Sequence, residues 1–458
     1  MIRIQKTSNS FFPKKKASVS SKTGALGVFF STILFVSCTT MADYNFRNIN
    51  KNLASSNYED VYAELETPKG TLYRKTDKVL ETLDKGLICH YSGNYENSNL
   101  LLSQSENLMD KYAAISISQQ IGSMISNDTV IDYSGDPYED IYISIFKALN
   151  YLNLGLIDDS FVELRRVNIK LQEISLNYQT LIEQSRKELK ENSQSVPDSK
   201  MTFHNSALAR YLSMLMYRSE GNYDDAKIDL RGINEAFGLQ KNLYNFPIPS
   251  SISKELEVSK NDARLNIIAF SGLCPIKKEN RTPLFAVDGF YNVCLPEMVM
   301  RKSDINRVRY TATCKETGET YSSELQLLES IENIALDTYS QKYSLTVAKT
   351  IGRMVLKLTS ALAFDAASQQ AGSSELGLLF SVISLASKAN MFLSERADVR
   401  TCRYFPAYAW VDGITVPAGK YSVTVQFMKD KSTVTSLTYD DIEVRSGNMN
   451  LVESFNLR

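Results

Sequence analysis

One six-residue pattern occurs three times in the first half of the chain and constrains its fold more than any other feature. The three copies begin at Gly93, Gly155 and Gly221 and read GNYENS, GLIDDS and GNYDDA. Each copy lies between two apolar stretches with helical periodicity. Glycine adopts the left-handed conformation that ends many helices, and acidic residues favour the first turn of the next one. The pattern therefore predicts three helix–turn–helix pairs.

The flanking residues agree with this arrangement at fixed distances from each glycine. A small residue lies seven positions before the glycine in two of the three copies (Gly86, Ala148). An aromatic residue lies four positions before it in two copies (Tyr151, Tyr217). After it come Tyr95, Ile157 and Tyr223 at the second position, Ser98, Ser160 and Ala226 at the fifth, and Leu102, Leu164 and Leu230 at the ninth. The aromatic or Ile is expected to cover the turn, and the small residue to let the helices approach.

This order of positions resembles the tetratricopeptide consensus, whose helix pairs stack into an array with a concave groove for peptides or helices. The glycines lie 62 and 66 residues apart, about twice the family repeat of roughly 34. Elongated helices or additional degenerate pairs both account for the spacing. A generic bundle of α-hairpins is the alternative interpretation.

Six helices are predicted from apolar periodicity in this half of the chain. They cover residues 71–91, 96–115, 138–154, 158–192, 205–220 and 223–237. Residues 38–65 are rich in Asn and Ser and are predicted to form a flexible linker. Pro247 and Pro249 mark the expected end of the helical domain, which we place at residues 66–245.

The second half of the chain is predicted to be mainly β. Short apolar or alternating segments predict strands at 264–271, 285–293, 297–302, 305–314, 421–427, 433–439, 442–444 and 451–455. Such regular spacing suggests an immunoglobulin-like sandwich formed by residues 256–322 and 397–458. The fold class expected for the whole chain is therefore α+β multidomain, with a tetratricopeptide-like helical repeat domain before an immunoglobulin-like β-sandwich.

A helical segment is expected to be inserted in the β domain at residues 323–396. Its predicted helices cover 325–351, 355–370 and 376–393, and residues 377–386 carry no charge. That apolar stretch is too short to span a bilayer. A hairpin buried on the sheet and a surface that docks on a partner or a membrane are both compatible with it.

The N-terminus has the features of an export signal. Residues 1–23 contain six basic residues and no acid, and an apolar run over 24–36 leads to Ser37 and Cys38. The sequence FVSC at 35–38 resembles a bacterial lipobox, although Phe35 stands where Leu is usual. The resemblance implies that residues 1–37 are removed, that Cys38 carries lipid, and that Thr39 permits sorting to an outer membrane. A plain secretory signal or an uncleaved anchor is the alternative.

Charge and cysteine content narrow the functional classes. The chain has 51 basic and 52 acidic residues, and loss of the six basic residues before Cys38 leaves a formal charge of −7. A mildly acidic protein is not expected to bind the phosphate backbone of nucleic acid. Cys89 is expected to be a buried small hydrophobe. In an exported chain, one disulfide is possible among Cys274, Cys294, Cys314 and Cys402.

Several stretches together resemble a family of bacterial envelope lipoproteins with tetratricopeptide-like helices and a C-terminal β domain. They are 86–95 with 116–119 and 127–128, then 138–139 with 147–151, Gly155 and 162–166, then 272–277, and finally 397–400 with 405–406 and 417–419. In that family a Trp usually stands where this chain has Cys402. The resemblance implies an envelope location and a helical-plus-β build. It implies no catalytic residues.

Few residues point to chemistry. The sequence has no P-loop, G-x-G-x-x-G, H-E-x-x-H or G-x-S-x-G motif, and no metal site or cofactor is predicted. His90 and His204 are interpreted as structural. Glu163, Arg165 and Arg166 form a cluster that can bind a carboxylate or pair along one helix face. Lys277 can meet an anion or remain solvated.

The sequence therefore favours a lipid-anchored, non-catalytic adaptor of the cell envelope that binds a protein partner through its helical repeats. Candidate partner-binding residues are Glu163, Arg165, Arg166 and Lys277. An outer-membrane lipoprotein that binds a nutrient glycan or peptide is the alternative, although a single Trp is few for a sugar site. An envelope hydrolase is a third hypothesis, and the sequence singles out no paired carboxylates for it.

Overall fold

A computed structural model describes the chain at residues 46–66, 72–119, 131–190, 201–258, 262–286, 289–340, 342–344, 346–347, 350 and 396–458. Helices fill the first half of these residues and strands dominate the second, so the α+β class predicted from the sequence is confirmed. The predicted signal peptide, Cys38, and the predicted helices at 355–370 and 376–393 lie outside the described residues.

The repeated turns join helices in pairs. The helices are α1 (Arg47–Ala54), α2 (Tyr58–Glu66), α3 (Lys78–Tyr91), α4 (Tyr95–Gln119), α5 (Pro137–Asn153), α6 (Ile157–Lys190), α7 (Ala207–Glu220) and α8 (Tyr223–Leu239). Gly93, Gly155 and Gly221 have φ angles of 80°, 75° and 79° and separate the members of three pairs. The left-handed turn therefore lies at each repeated glycine, in a backbone conformation that residues with a Cβ rarely adopt.

The small residue five positions after each glycine lies against the preceding helix. Ser98 Oγ donates to the Gly86 carbonyl oxygen at 2.7 Å, and Ser160 Oγ donates to the Ala148 carbonyl oxygen at 3.0 Å. Ala226 occupies the same position in the third pair and is fully buried. The serines thus satisfy their own hydroxyl groups inside a close helix–helix contact.

The predicted linker is wrong from residue 46 onward. Phe46, which caps α1, and Ile49 and Leu53 of α1 are buried, and α2 buries three apolar residues at the same spacing. Spacings of three and four residues place each set on one side of a helix. The many Asn and Ser residues between them hid this pattern, and both helices pack on the body of the protein.

Strands of the second half form one seven-stranded sheet and one separate hairpin. The strands are β1 (Ala263–Ser271), β2 (Ile276–Ala286), β3 (Gly289–Val299), β4 (Arg307–Cys314), β5 (Thr320–Ser330), β6 (Tyr408–Val416), β7 (Gly419–Lys429), β8 (Ser432–Val444) and β9 (Asn450–Asn456). The sheet order is β8-β7-β4-β5-β6-β1-β9, and β2 pairs only with β3. Neighbouring strands are antiparallel except β1 and β9, which are parallel.

Strand β5 divides the sheet into two halves. Its first residues, 320–325, pair with β4, and its last residues, 326–330, pair with β6 with a bulge between Leu327 and Glu329. The sequence predicted a helix from residue 325, but a helix begins only at Ile331. The segment has the composition of a helix, and pairing on both edges overrides that local preference.

Two further strand predictions differ from the structure. The strand predicted at 285–293 is interrupted, because the β2–β3 hairpin reverses between Ala286 and Gly289. An Asp-Gly pair at 288–289 was the available turn signal. Strand β6 was missed, although it is central and lies between β5 and β1.

The helices and the sheet share one hydrophobic core. In β1, Ile268 and Phe270 pack in the same buried cluster as residues of α3 to α8, whereas Leu265, Ile267 and Ala269 belong to a second cluster on the other side of the sheet. Strand β1 is therefore buried along its whole length. The helical array covers one face of the sheet, and the other face closes over a core of its own.

Substitution of Gly86 tests the close contact in the first helix pair. A Cβ atom at Gly86 would lie 2.9 Å from Leu102 Cδ2, whereas one at Gly238, also helical, would meet nothing within 4 Å. We expect Gly86→Ala to lower the free energy of unfolding by about 1–3 kcal/mol through overpacking. The matched Gly238→Ala change should raise it by about 0.4–1 kcal/mol. Urea unfolding followed by circular dichroism measures both, and equal effects would contradict the close packing.

Candidate functional site

A groove lies where α6, α7 and α8 meet, and we call it the α6–α8 groove. It encloses about 230 Å³. Its lining consists of Leu164, Arg165 and Asn168 from α6, Ala209, Arg210, Ser213 and Tyr217 from α7, and Asp225, Ile228 and Asp229 from α8. The second and third repeated turns position these three helices, so the groove is a direct product of the repeat.

The floor of the groove is an internal ion pair. Arg210 Nη1 lies 2.9 Å from Asp229 Oδ1, and Arg210 Nε donates to Asn205 Oδ1 at 3.2 Å. Burial raises the pKa of the Asp229 carboxyl, and hydrogen bonds from Ser213 and Arg210 oppose that change. Both charged groups are therefore largely occupied with each other and with their neighbours.

Arg165 is the cation that the groove presents to solvent. Its guanidinium lies 5.8 Å from the centre of the Phe161 ring, and that ring lies 4.7 Å from the ring of Tyr217. A hydrogen bond with Tyr217 and the nearby acidic side chains of Asp225 and Glu220 raise the pKa of Arg165. The side chain is exposed, and its planar head can take a carboxylate in two parallel hydrogen bonds.

The other two members of the predicted cluster lie in a buried charge network. Lys147 Nζ lies 2.8 Å from Glu163 Oε1 and 3.0 Å from Glu106 Oε2. Lys170 pairs with Glu106 at 2.6 Å, and Arg166 reaches the same carboxylate at 3.3 Å. The prediction that Glu163 binds a partner is therefore wrong, because this buried carboxylate already has internal cations. Arg166 is half-buried and contacts both acids through Nη1 alone.

Lys277 is buried rather than solvated or open to an anion. Its Nζ lies 2.6 Å from Asp136 Oδ2 and donates to the Arg400 carbonyl oxygen at 3.0 Å. Although burial opposes ionisation, Lys277 and Lys342 lower the pKa of Asp136 to about 2. The predicted partner-binding role of Lys277 is wrong, since this lysine joins the hairpin to the start of α5.

The disulfide that the sequence left possible does not form. Cys274 Sγ donates to the Pro406 carbonyl oxygen at 3.1 Å, Cys314 Sγ to Glu316 Oε2 at 3.2 Å, and Cys402 Sγ to Asp84 Oδ1 at 3.2 Å. Three of the four candidates are thus thiols, which leaves no pair among them. Cys89 is buried, and burial raises its pKa to about 11.

Both histidines make structural contacts. His90 is fully buried, with Nδ1 at 2.7 Å from Asn150 Oδ1 and Nε2 at 3.0 Å from Glu453 Oε1. This ring therefore ties two helices to β9. His204 Nδ1 lies 2.8 Å from the Thr202 carbonyl oxygen, two residues away.

Sequence reasoning found one of the ten groove residues as a candidate. Arg165 was singled out because it stands in a charged cluster, and Tyr217 appeared only as a repeat position. Arg210 and Asp229 were missed because they lie on different helices 19 residues apart, and nothing local links them.

The described residues lack both a metal-binding cluster and a membrane-spanning helix. They hold no cluster of His, Cys, Asp and Glu arranged for a metal ion. The helices among them include none with the length and apolar character needed to cross a bilayer.

Comparison of the chain with protein-family models, with curated proteins and with solved structures finds no match.

Removal of Lys147 tests the buried charge network. Lys147→Met would leave the carboxylates of Glu106 and Glu163 buried without their central cation, so we expect a loss of about 3–5 kcal/mol in the free energy of unfolding. Arg166→Met removes a half-exposed cation from the same acids and should cost less than about 1 kcal/mol. Chemical denaturation measures the free energy of unfolding of both variants. Losses of similar size in the two would show that the network is not buried as described.

Proposed function

We propose that this chain is a lipid-anchored, non-catalytic adaptor of the bacterial cell envelope that holds a protein partner in the α6–α8 groove. One observation carries the proposal. A helical array built on a repeated turn presents an exposed arginine at a groove of about 230 Å³. Stacked helix pairs commonly use such concave surfaces for peptides or partner helices.

The chemistry of the groove suggests what the partner presents. Arg165 offers a positive charge beside the aromatic rings of Phe161 and Tyr217, and Ile228 adds an exposed apolar side chain. A carboxylate next to an apolar side chain matches both features. We infer that the partner inserts such a segment, with Arg165 paired to the carboxylate.

Two finer structural proposals accompany this function. We infer that the three helix pairs are tetratricopeptide-like, on the spacing of Gly, Ser or Ala, and Leu around each turn. We also infer that the strands form an immunoglobulin-like sandwich, because β5 pairs its two halves with different neighbours and one sheet face encloses its own core. Anchoring through lipid on Cys38, at an outer membrane, follows from the lipobox resemblance alone.

The alternative is a lipoprotein that binds a nutrient glycan or peptide. Sugar sites usually need exposed aromatic platforms, and Trp410 lies in β6, where its Nε1 donates to Ser271 Oγ at 2.9 Å. It does not line the groove. A peptide ligand fits the groove better than a glycan does.

Site-specific photo-crosslinking tests the adaptor function. A benzoylphenylalanine at position 228, inside the groove, should yield one crosslinked envelope protein in the native cells. The same group at Glu235, an exposed position of α8 outside the groove, should yield none. Because a charge-assisted hydrogen bond contributes about 1.5–3 kcal/mol, Arg165→Glu should lower the yield by about tenfold or more.

The matched control is Arg231→Glu, which makes the same charge change at an exposed site of α8. It should leave the yield unchanged. No product from position 228, or the same product from position 235, would refute the proposed binding site. Membrane release of a Cys38→Ala variant tests the anchor separately.

A further inference from the structure

Helix α6 carries an apolar stripe on the side that faces away from the core. Val162, Ile169 and Leu176 are spaced by seven residues, and their side chains are 52%, 53% and 63% exposed. At 3.6 residues per turn they lie on one side of the helix, opposite the buried Leu164 and Val167. The outer side of a solvated helix normally carries polar residues, so this stripe is suited to contact with another molecule.

The C-terminal part of α6 extends past the beginning of α5. Lys170 of α6 pairs with Asp140, in the first turn of α5, at 2.7 Å. The N-terminus of α5 therefore lies beside Lys170. Residues 171–190 of α6 therefore continue beyond it, over about 30 Å at 1.5 Å per residue. The exposed Leu176 lies in this extension.

We propose that α6 pairs with α6 of a second copy of this chain, antiparallel and centred on Ile169. This arrangement places Ile169 opposite itself and Val162 opposite Leu176 of the other copy. All three apolar residues of each copy then meet apolar residues, as a two-fold contact between identical surfaces requires.

The charges beside the stripe complement one another in this orientation. Arg166 and Glu173 lie on the same flank of the stripe, one before Ile169 and one after it. Antiparallel pairing brings Arg166 of each copy to the level of Glu173 of the other. Arg166 is 43% exposed despite its contacts with Glu106 and Glu163, and Glu173 is exposed. In a parallel two-fold pair this flank would face the opposite flank of the other copy, so Arg166 pairs with Glu173 in the antiparallel form.

This contact lies beside the α6–α8 groove rather than in it. None of Val162, Ile169, Leu176 and Glu173 lines the groove. Six apolar side chains make a small interface, so the pairing is weaker than that of an obligate dimer. Disulfide crosslinking is therefore the suitable measurement, because it captures a weakly associated dimer.

Cysteine crosslinking of the full chain in its own membranes tests the pairing. Under mild oxidation Ile169→Cys should form a disulfide-linked dimer. Val162→Cys alone and Leu176→Cys alone should not, but the two variants expressed together should. The unmodified chain is the control for its own cysteines, of which Cys89, Cys274, Cys314 and Cys402 are buried.

A second variant distinguishes charge pairing from nonspecific hydrophobic association. Adding Glu173→Arg to Ile169→Cys should lower dimer formation at least fivefold, because it faces Arg166 with a like charge. Adding Glu235→Arg, the same change on α8, should have no effect. Self-crosslinking of Val162→Cys, absence of any Ile169→Cys dimer, or crosslinking of the stripe to a different protein would each overturn the proposal.

Discussion

The structure depends on carboxylates that are buried between the helices and the sheet. Glu329, at the bulge of β5, is the clearest case. It accepts hydrogen bonds from Tyr142 of α5 at 2.6 Å, from Tyr244 at 2.7 Å, and from the Leu208 amide in the first turn of α7 at 3.0 Å. Burial raises its pKa, and each of these donors opposes that effect. A charge removed from water at this depth requires several donors, and they come from separate elements.

The same arrangement recurs along the junction. Asp84 of α3 accepts from Tyr73, from Cys402 and from the Arg403 amide. Glu139 of α5 accepts from the Cys402 amide at 2.6 Å, and burial raises its pKa to about 7. The hydrogen bonds from Cys402 and Arg403, just before β6, persist only while the helices stay in contact with that segment. The helical array and the sheet are thus parts of one folded body, and the sheet fixes the helices that form the groove.

Local chemistry made part of this fold predictable from the sequence. The three glycine turns follow from glycine's access to positive φ, and the helices on either side follow from apolar spacing. Strands β1, β4, β7 and β9 were recognised because their sequences are apolar or alternate between apolar and polar residues. The prediction failed where pairing at a distance decides the structure. Residues 325–330 look helical until their two neighbouring strands are known.

The candidate site shows the same division. Arg165 stood out as a charge in a cluster, and it does face the groove. Lys277 also looked like a surface charge, because its partner Asp136 is 141 residues away and invisible to local reasoning. Glu163 was misread for a similar reason, since Lys147 lies on the neighbouring helix. The groove itself combines three helices, so no single stretch of sequence could reveal its lining.

Native-state hydrogen exchange tests the central claim, that buried carboxylates join helices and sheet into one cooperative body. The slowest amides of α5 and α7 and those of β1 and β6 should open with the same free energy. Glu329→Gln should lower the opening free energies of all four elements together, because it weakens the contacts that join them. Exchange of the helices at a clearly lower free energy, while the sheet stays protected, would contradict the account.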